Sequence, residues 1–173
     1  MSELSITEKR RIVIAYDGTE DASKLFDWSI KNIVNPRTDH VILVSALSRT
    51  SPSGAKIGKS AENLPIISTT PTRINEAIEQ VNKENQPFAR PVRDLLQSMA
   101  DQLKSSNISS EQHVLWGDPK EALPKYTQSH QVDLLIVGSR GLSTVKSVFL
   151  GSVSDKCVHE CPCPVLVVRN ATI

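Results

Sequence analysis

Four small residues in the second half of the chain have the types and spacing of a phosphate-binding site. Gly138 and Gly141 stand three positions apart, and Gly151 and Ser152 follow after nine further residues. Glycines let backbone N–H groups approach an anion without a Cβ in the way. A helix beginning at Gly151-Ser152 would add unpaired N–H donors and the positive end of its dipole. The pattern therefore indicates phosphate binding.

Hydroxyl and charged side chains accompany this glycine pattern. The hydroxyls of Ser152 and Ser154 could donate to phosphate oxygens. Arg140 and Lys146 stand in the intervening stretch and could add positive charge, or could be solvated loop charges. Asp17 follows an apolar run, where its carboxylate could accept bonds from a sugar hydroxyl or a base amine. The alternative for Asp17 is a turn residue or helix cap.

Several better-known motifs are missing from the sequence. The chain has no G-x-x-x-x-G-K-[ST] and no strand-linked G-x-G-x-x-G, which argues against a P-loop NTPase and a dinucleotide site. It has no G-x-S-x-G nucleophile elbow. No obvious general base stands near Gly138 or Gly151, so efficient catalysis is not expected. Slow ATP hydrolysis or nucleotidyl transfer is the enzymatic alternative.

Three cysteines and a histidine near the C-terminus raise the question of a zinc site. Their spacing argues against it, because Cys157 and Cys161 are one helical turn apart and no Cys-x-x-Cys knuckle exists. Cys163 stands between two prolines at the start of a strand. We expect small buried side chains rather than metal ligands.

Length, charge and apolar content bound the class of protein. A chain of 173 residues suits one domain, so we expect a single nucleotide-binding domain over residues 1–173. The net charge of +1 disfavours nucleic acid and anionic membrane as main partners. The N-terminus lacks an apolar signal core, and no apolar run reaches membrane-spanning length. With clustered, non-framework cysteines, these features predict a cytoplasmic protein.

Short apolar runs alternate with helical periodicity along the chain. Strands are expected at residues 11–16, 41–47, 112–116, 133–137 and 164–168. Amphipathic helices are expected after Asp21 and over 92–103, and Asp118 could cap a third whose first residue is Pro119. The interval 48–90 reads as a long, partly flexible loop with a short helix near 74–81. This alternation predicts an α/β, doubly wound parallel sheet with helices on both faces.

A ligand crevice in such a sheet lies at the carboxyl ends of the strands, where the strand order reverses. If the winding is 3-2-1-4-5, the first and fourth strands meet at that point. The first ends in Asp17-Gly18, and the fourth ends in Gly138-Ser139. The topology would therefore bring Asp17 to the glycine pattern.

The pattern G-x2-G-x9-G-[ST] resembles the ATP-binding signature of universal stress proteins. Further segments look like parts of that family: residues 12–19 its opening strand and acidic turn, 116–119 its third-strand turn, and 133–142 and 163–168 its fourth and fifth strands. Together these segments cover most of the chain outside 48–90.

The resemblance implies a five-stranded parallel sheet in the order 3-2-1-4-5 and binding of ATP with Mg²⁺. It implies a regulatory module in stress response that acts as a homodimer through Val165–Val168. The remaining alternative is an interaction protein with a vestigial pocket. Carried over by position, Asp17 would contact the adenosine, Ala46 and Val137 would line the adenine pocket, and Gly138, Arg140, Gly141, Gly151, Ser152 and Val153 would hold the ribose and phosphates.

Overall fold

A computed structural model describes residues 4–47, 89–139 and 150–169 of the chain. Within these ranges the chain forms five β-strands and four α-helices, preceded by a 3-10 turn at Ile6–Glu8. The strands are β1 (Arg10–Ala15), β2 (Asp39–Leu47), β3 (Ser109–Trp116), β4 (Leu134–Ser139) and β5 (Val165–Arg169). The helices are α1 (Glu20–Asn32), α2 (Arg90–Ser105), α3 (Pro119–Ser129) and α4 (Ser152–Glu160).

The five strands form one parallel sheet in the order β3-β2-β1-β4-β5. This confirms the predicted order. The largest difference in strand bounds is at β3, which begins at Ser109 rather than at Gln112. Its first residues are polar and carry no apolar signal, but they pair in register with β2, Ser109 beside His40 and Glu111 beside Ile42.

Two apolar layers cover the sheet, one on each face. Side chains of successive strand residues point to opposite faces. Ile12 and Ile14 of β1 therefore pack with α1 and α2 in one cluster. Val13, between them, packs with α3 and α4 in the other. The predicted helices on both faces are confirmed.

Local sequence signals account for the helix starts. Thr19 caps α1, where its Oγ1 accepts a bond from the Ala22 N–H at 3.2 Å. Asp118 caps α3, as predicted, and its Oδ1 accepts from the Lys120 N–H at 2.9 Å. The helix α2 begins at Arg90, and proline at its second position is tolerated because a first-turn N–H has no helical partner.

Two sequence expectations concern parts of the chain that the structure does not describe. The loop expected over 48–90 falls there except for its last two residues, as does the short helix expected near 74–81. None of the helices in the described ranges has the length and apolar character needed to span a bilayer.

Candidate functional site

A cavity of about 500 Å³ opens at the carboxyl ends of β1, β2 and β4. This is the position where β1 lies between β2 and β4, so the connections leave the sheet in opposite directions. The strand ends form the floor of the cavity. The turn after β1 and the first turns of α1, α3 and α4 form its walls.

The cavity brings together predicted residues from four separate segments of the chain. Arg140, Gly141 and Lys146 lie outside the residues that the structure describes. The other seven predicted residues all line the cavity: Asp17, Ala46, Val137, Gly138, Gly151, Ser152 and Val153.

The N-terminus of α4 faces the cavity without a side-chain cap. Gly151 occupies the cap position with an extended backbone (φ −62°, ψ 150°), and the Asp155 N–H donates to its carbonyl at 2.8 Å. In the described part of the chain, the N–H groups of Ser152, Val153 and Ser154 have no acceptor. All three residues line the cavity. Unpaired donors at the positive end of a helix dipole form an anion site.

Ser154 does not serve the site as the sequence analysis expected. Its side chain is buried, and its hydroxyl donates to the carbonyl of Gly151 at 2.8 Å. Serine in a helix commonly bonds back to a carbonyl one turn earlier, and that bond uses its only proton. The hydroxyl of Ser152, which is exposed, remains the available O–H donor of this turn.

Asp17 is both a turn residue and a cavity residue. Its Oδ1 accepts bonds from the N–H of Thr19 at 3.0 Å and from the Thr19 hydroxyl at 2.6 Å. Gly18, between them, has a φ of +82°, where glycine carries no steric penalty. The turn holds an exposed carboxylate at the rim of the cavity. The two interpretations weighed from the sequence are therefore compatible.

Among the described residues, no neighbour requires a glycine at position 138. A Cβ built on it would meet Leu25 Cδ2 at 3.6 Å, an ordinary van der Waals contact, and its φ is not in the left-handed region. The residue is exposed at the end of β4, on the cavity floor. The missing side chain leaves room on the cavity floor.

The first turn of α3 forms a wall of the cavity that sequence reasoning missed. Pro119, Lys120 and Leu123 all line it, together with the cap residue Asp118. The available signal was positional, because these residues directly follow β3 and so lie at the same edge of the sheet as the other strand ends.

The described lining is acidic on balance. It includes the carboxylates of Asp17, Asp21 and Asp118, and among these lining residues Lys120 is the one lysine or arginine. Side-chain charge in this part of the site therefore does not attract an anion. Attraction must come from the α4 N–H groups, from a bound cation, or from residues outside the described ranges.

The three cysteines lie in or beside one apolar layer of the protein. Cys157 is fully buried, which raises the pKa of its thiol to about 12. It packs with Leu135 and Val137 in the layer under α3 and α4, and Cys161 and Cys163 pack against that layer half-buried. The prediction of a small buried side chain is confirmed for Cys157. Among the described residues no group of potential ligands is arranged to hold a metal ion.

Comparison with known proteins gives a family match along most of the chain. The model of the universal stress protein family matches residues 9–169. The universal stress protein PHOS34 of Arabidopsis thaliana is 29% identical over 166 residues. That alignment covers 93% of this chain and 62% of the relative, so the chain spans less than two thirds of the relative's length.

Solved structures share the fold at low sequence identity. A universal stress protein in complex with cAMP matches with a TM-score of 0.60 at 20% identity, covering 94% of this chain and 98% of that one. A universal stress protein family protein from Arabidopsis thaliana with AMP bound matches with a TM-score of 0.58 at 19% identity, covering 92% and 91%. Both have the same parallel α/β architecture as this chain.

Proposed function

The chain belongs to the universal stress protein family, and we propose that it binds an adenine nucleotide, ATP with Mg²⁺, in the cavity at the carboxyl ends of β1, β2 and β4. The observation that carries the proposal is the uncapped N-terminus of α4, which presents backbone donors to a cavity of about 500 Å³. Two solved structures of the same fold hold cAMP and AMP. In this proposal the nucleotide state of the protein regulates its contacts in the stress response.

The two sides of the cavity suit the two parts of a nucleotide. The first turn of α4 would hold the phosphates through the N–H groups of Ser152 and Val153. Ala46, Val137 and Leu123 offer apolar surface for the base. Asp17, at the rim, would accept bonds from the adenosine. Arg140 and Gly141 belong to the proposed phosphate side on sequence grounds.

Magnesium fits the charge of the lining. Mg²⁺ is usually held by one or two carboxylates together with substrate phosphates and water, not by a complete protein cage. The lining supplies carboxylates in excess of cations, so a divalent ion would neutralise both them and the phosphates. When bound, the ion would screen the phosphate charge. The protein's own part would be to position the nucleotide against α4.

The edge strand β5 supports the proposed dimer. Val165, Leu166 and Val167 are half-buried on a strand that pairs with β4 and, among the described strands, stands at the edge of the sheet. An apolar edge strand is normally protected by pairing or cover. We propose that a second copy covers it, in a cytoplasmic protein that does not bind nucleic acid.

The proposal is tested by calorimetric titration of the nucleotide-stripped protein with Mg·ATP. Wild type should bind with micromolar affinity, equivalent to about −8 kcal/mol. The variant Gly151→Val should lose binding, because a branched side chain would cover the α4 donors. Val158→Thr is the matched control, since Val158 lies on the same helix, is 46% exposed and does not line the cavity.

Circular dichroism of each variant separates a lost site from a lost fold. Absence of binding by a well-folded wild type would contradict the proposal outright. Equal binding by wild type and Gly151→Val would place the ligand elsewhere.

A further inference from the structure

A cluster of titratable side chains lies at the end of the sheet opposite the cavity, beneath the C-terminal half of α3. Three of its members come from the first residues of β1, β2 and β3, and His113 comes from the middle of β3. The other two come from the last turn of α3 and the residue that follows it. We call it the α3-base cluster, and it consists of Arg11, His40, Glu111, His113, Tyr126 and His130. None of these residues lines the cavity.

His40 is the buried centre of the cluster. It is 3% exposed, and its Nδ1 is 3.1 Å from the hydroxyl oxygen of Ser109. Its Nε2 is fully buried and has no hydrogen-bond partner among the described residues. The nearest charged acceptor is Glu111 Oε2 at 3.9 Å, too long for a hydrogen bond. A neutral imidazole tolerates this arrangement better than a charged one, which must donate from both nitrogens.

Glu111 is shared between three basic groups. Its Oε1 accepts from Arg11 Nη2 at 2.7 Å and is 3.7 Å from His113 Nε2. Arg11 is also tied to the chain that follows α3, because its Nε donates to the carbonyl of Gln131 at 2.9 Å. The Arg11–Glu111 pair therefore links β1 and β3 to the end of α3.

Tyr126 is the residue through which α3 packs against this cluster. Its ring stacks on His130 at 4.1 Å and lies 5.7 Å from the ring of His113. It is 6% exposed, and its hydroxyl oxygen is a second buried polar atom without a partner among the described residues. Burial, with Glu111 nearby, raises the pKa of Tyr126 to about 12, so the phenol stays protonated. Nε2 of His40 and the hydroxyl oxygen of Tyr126 are thus both buried without a partner among the described residues. Unsatisfied buried polar atoms lower the stability with which α3 packs on the sheet here.

Protonation of His40 would upset this arrangement. Burial lowers the pKa of His40 from its ordinary value, and the cations of Arg11 and Lys9 act in the same direction while Glu111 opposes them. Lys9 reaches the cluster from the chain before β1, with its Nζ 3.4 Å from the Ser109 hydroxyl oxygen. A charged His40 needs the carboxylate that Arg11 already holds. Rearrangement of Glu111 is the available route to pair it.

We propose that the α3-base cluster is a proton-sensing element, in which uptake of a proton by His40 draws Glu111 from Arg11 and loosens α3 from the sheet. Because Lys120 and Leu123 of the same helix line the cavity, acidification then weakens a wall of the ligand site. The loosening of α3 stands by itself. Its effect on ligand affinity rests on the proposed nucleotide binding.

Hydrogen exchange of the full chain at pH 7.5 and pH 5.5 tests the first step. The protection of α3 amides is expressed relative to α2 amides, which lie on the other face, so the intrinsic pH dependence of exchange cancels. In wild type, the protection of α3 relative to α2 should fall about tenfold between pH 7.5 and pH 5.5. This is the change expected when opening of α3 is coupled to the uptake of one proton over about one pH unit. His40→Gln should keep the ratio within about twofold.

His159→Gln is the matched control, since His159 is an exposed histidine of α4 away from the cluster. It should behave as wild type does. Equal loss of protection in α2 and α3, or the same loss in His40→Gln, would overturn the proposal. If His40→Gln does not fold, Glu111→Gln decides the matter. Removing the anion that favours charged His40 should move the opening of α3 to lower pH, whereas a purely structural role would leave that pH unchanged.

Titration with Mg·ATP at the same two pH values tests the second step. Wild type should bind about fivefold more weakly at pH 5.5, at the low end of usual coupling between sites. The phosphate group of ATP also titrates near pH 6, but it does so equally for all variants. His40→Gln should therefore show only that common change. Identical pH dependence in both proteins overturns the coupling. Absence of binding at pH 7.5 overturns the proposed function and the coupling, while hydrogen exchange still decides the proton-sensing element.

Discussion

Three helices begin at the cavity, and two of them, α3 and α4, differ in whether their first backbone N–H groups are already paired. At α3, the Asp118 carboxylate accepts the Lys120 N–H at 2.9 Å, and Pro119 has no N–H to offer. At α4, the cap residue is Gly151, which has no side chain to accept those bonds. A helix N-terminus attracts an anion only where its own cap has left donors free. The dipole alone therefore does not decide which of the two helix starts can bind an anion.

The largest effect on binding is expected when α4 is given the same kind of side-chain cap that α3 has. Gly151→Asp should lower the affinity for Mg·ATP at least a hundredfold, about 2.7 kcal/mol, because the carboxylate takes the donors and repels phosphate. Thermal unfolding should show unchanged or slightly higher stability, by a few tenths of a kcal/mol. Retained affinity in calorimetry would mean that the open α4 terminus is not the phosphate site.

A second substitution tests whether nucleotide binding needs free space on the cavity floor as well as the backbone donors of α4. Gly138→Ala adds a methyl group that the described residues accommodate, 3.6 Å from Leu25 Cδ2. We expect about tenfold weaker nucleotide binding, or about 1.4 kcal/mol, because the methyl occupies the cavity floor. The free energy of unfolding should change by no more than about 0.5 kcal/mol. A loss of stability with unchanged affinity would assign this glycine to the fold instead.

Removing the cap of α3 should lower the stability of the protein and leave its nucleotide affinity nearly unchanged. Asp118→Ala should lower the free energy of unfolding by about 1 kcal/mol, since the Lys120 N–H loses its acceptor. Urea denaturation measures this directly. Nucleotide affinity should change less than threefold. A large loss of affinity would show that Asp118 serves the ligand and not only the helix.

The smallest effect is expected from the charge on the α3 wall. Lys120→Met keeps the length of the side chain and removes the ammonium group. Affinity for Mg·ATP should fall about two- to threefold at low salt and less at high salt, as for a half-buried charge that salt still screens. A calorimetric series in sodium chloride checks this. A loss comparable with that of Gly151→Asp would make both helix starts part of the phosphate site.

The fold was predictable from the sequence because its signals are local. Apolar runs such as Val41–Val44 and the helical spacing of Leu96, Met99 and Leu103 fix element type over a few residues. The cap at Asp118-Pro119 is equally local. The polar start of β3 was missed for the same reason, since Ser109–Glu111 join the sheet only through pairing with β2.

The candidate site was predictable where glycines and strand ends marked it. Asp17 and Gly138 can be recognised in the sequence because they end apolar runs, and Gly151 because it precedes a helix. The parallel topology of the sheet then brings the three residues to one cavity. The wall formed by the start of α3 could be inferred only from its position directly after β3. The engagement of the Ser154 hydroxyl by Gly151 depends on helix geometry that the residue type does not reveal.

The sequence by itself determined the layered α/β fold and the glycine pattern that predicts a phosphate site, because periodicity and backbone conformational preference act between near neighbours. The strand order was implied by the family resemblance, and the structure confirms it. Only the tertiary structure decided that α3 joins the cavity to a buried histidine at the other end of the sheet. That link depends on register, which sets His113 beside Val44 and Glu111 beside Ile42 under Tyr126. Such contacts join residues far apart in the chain, and a side chain's burial and hydrogen-bond partners exist only once the strands have paired.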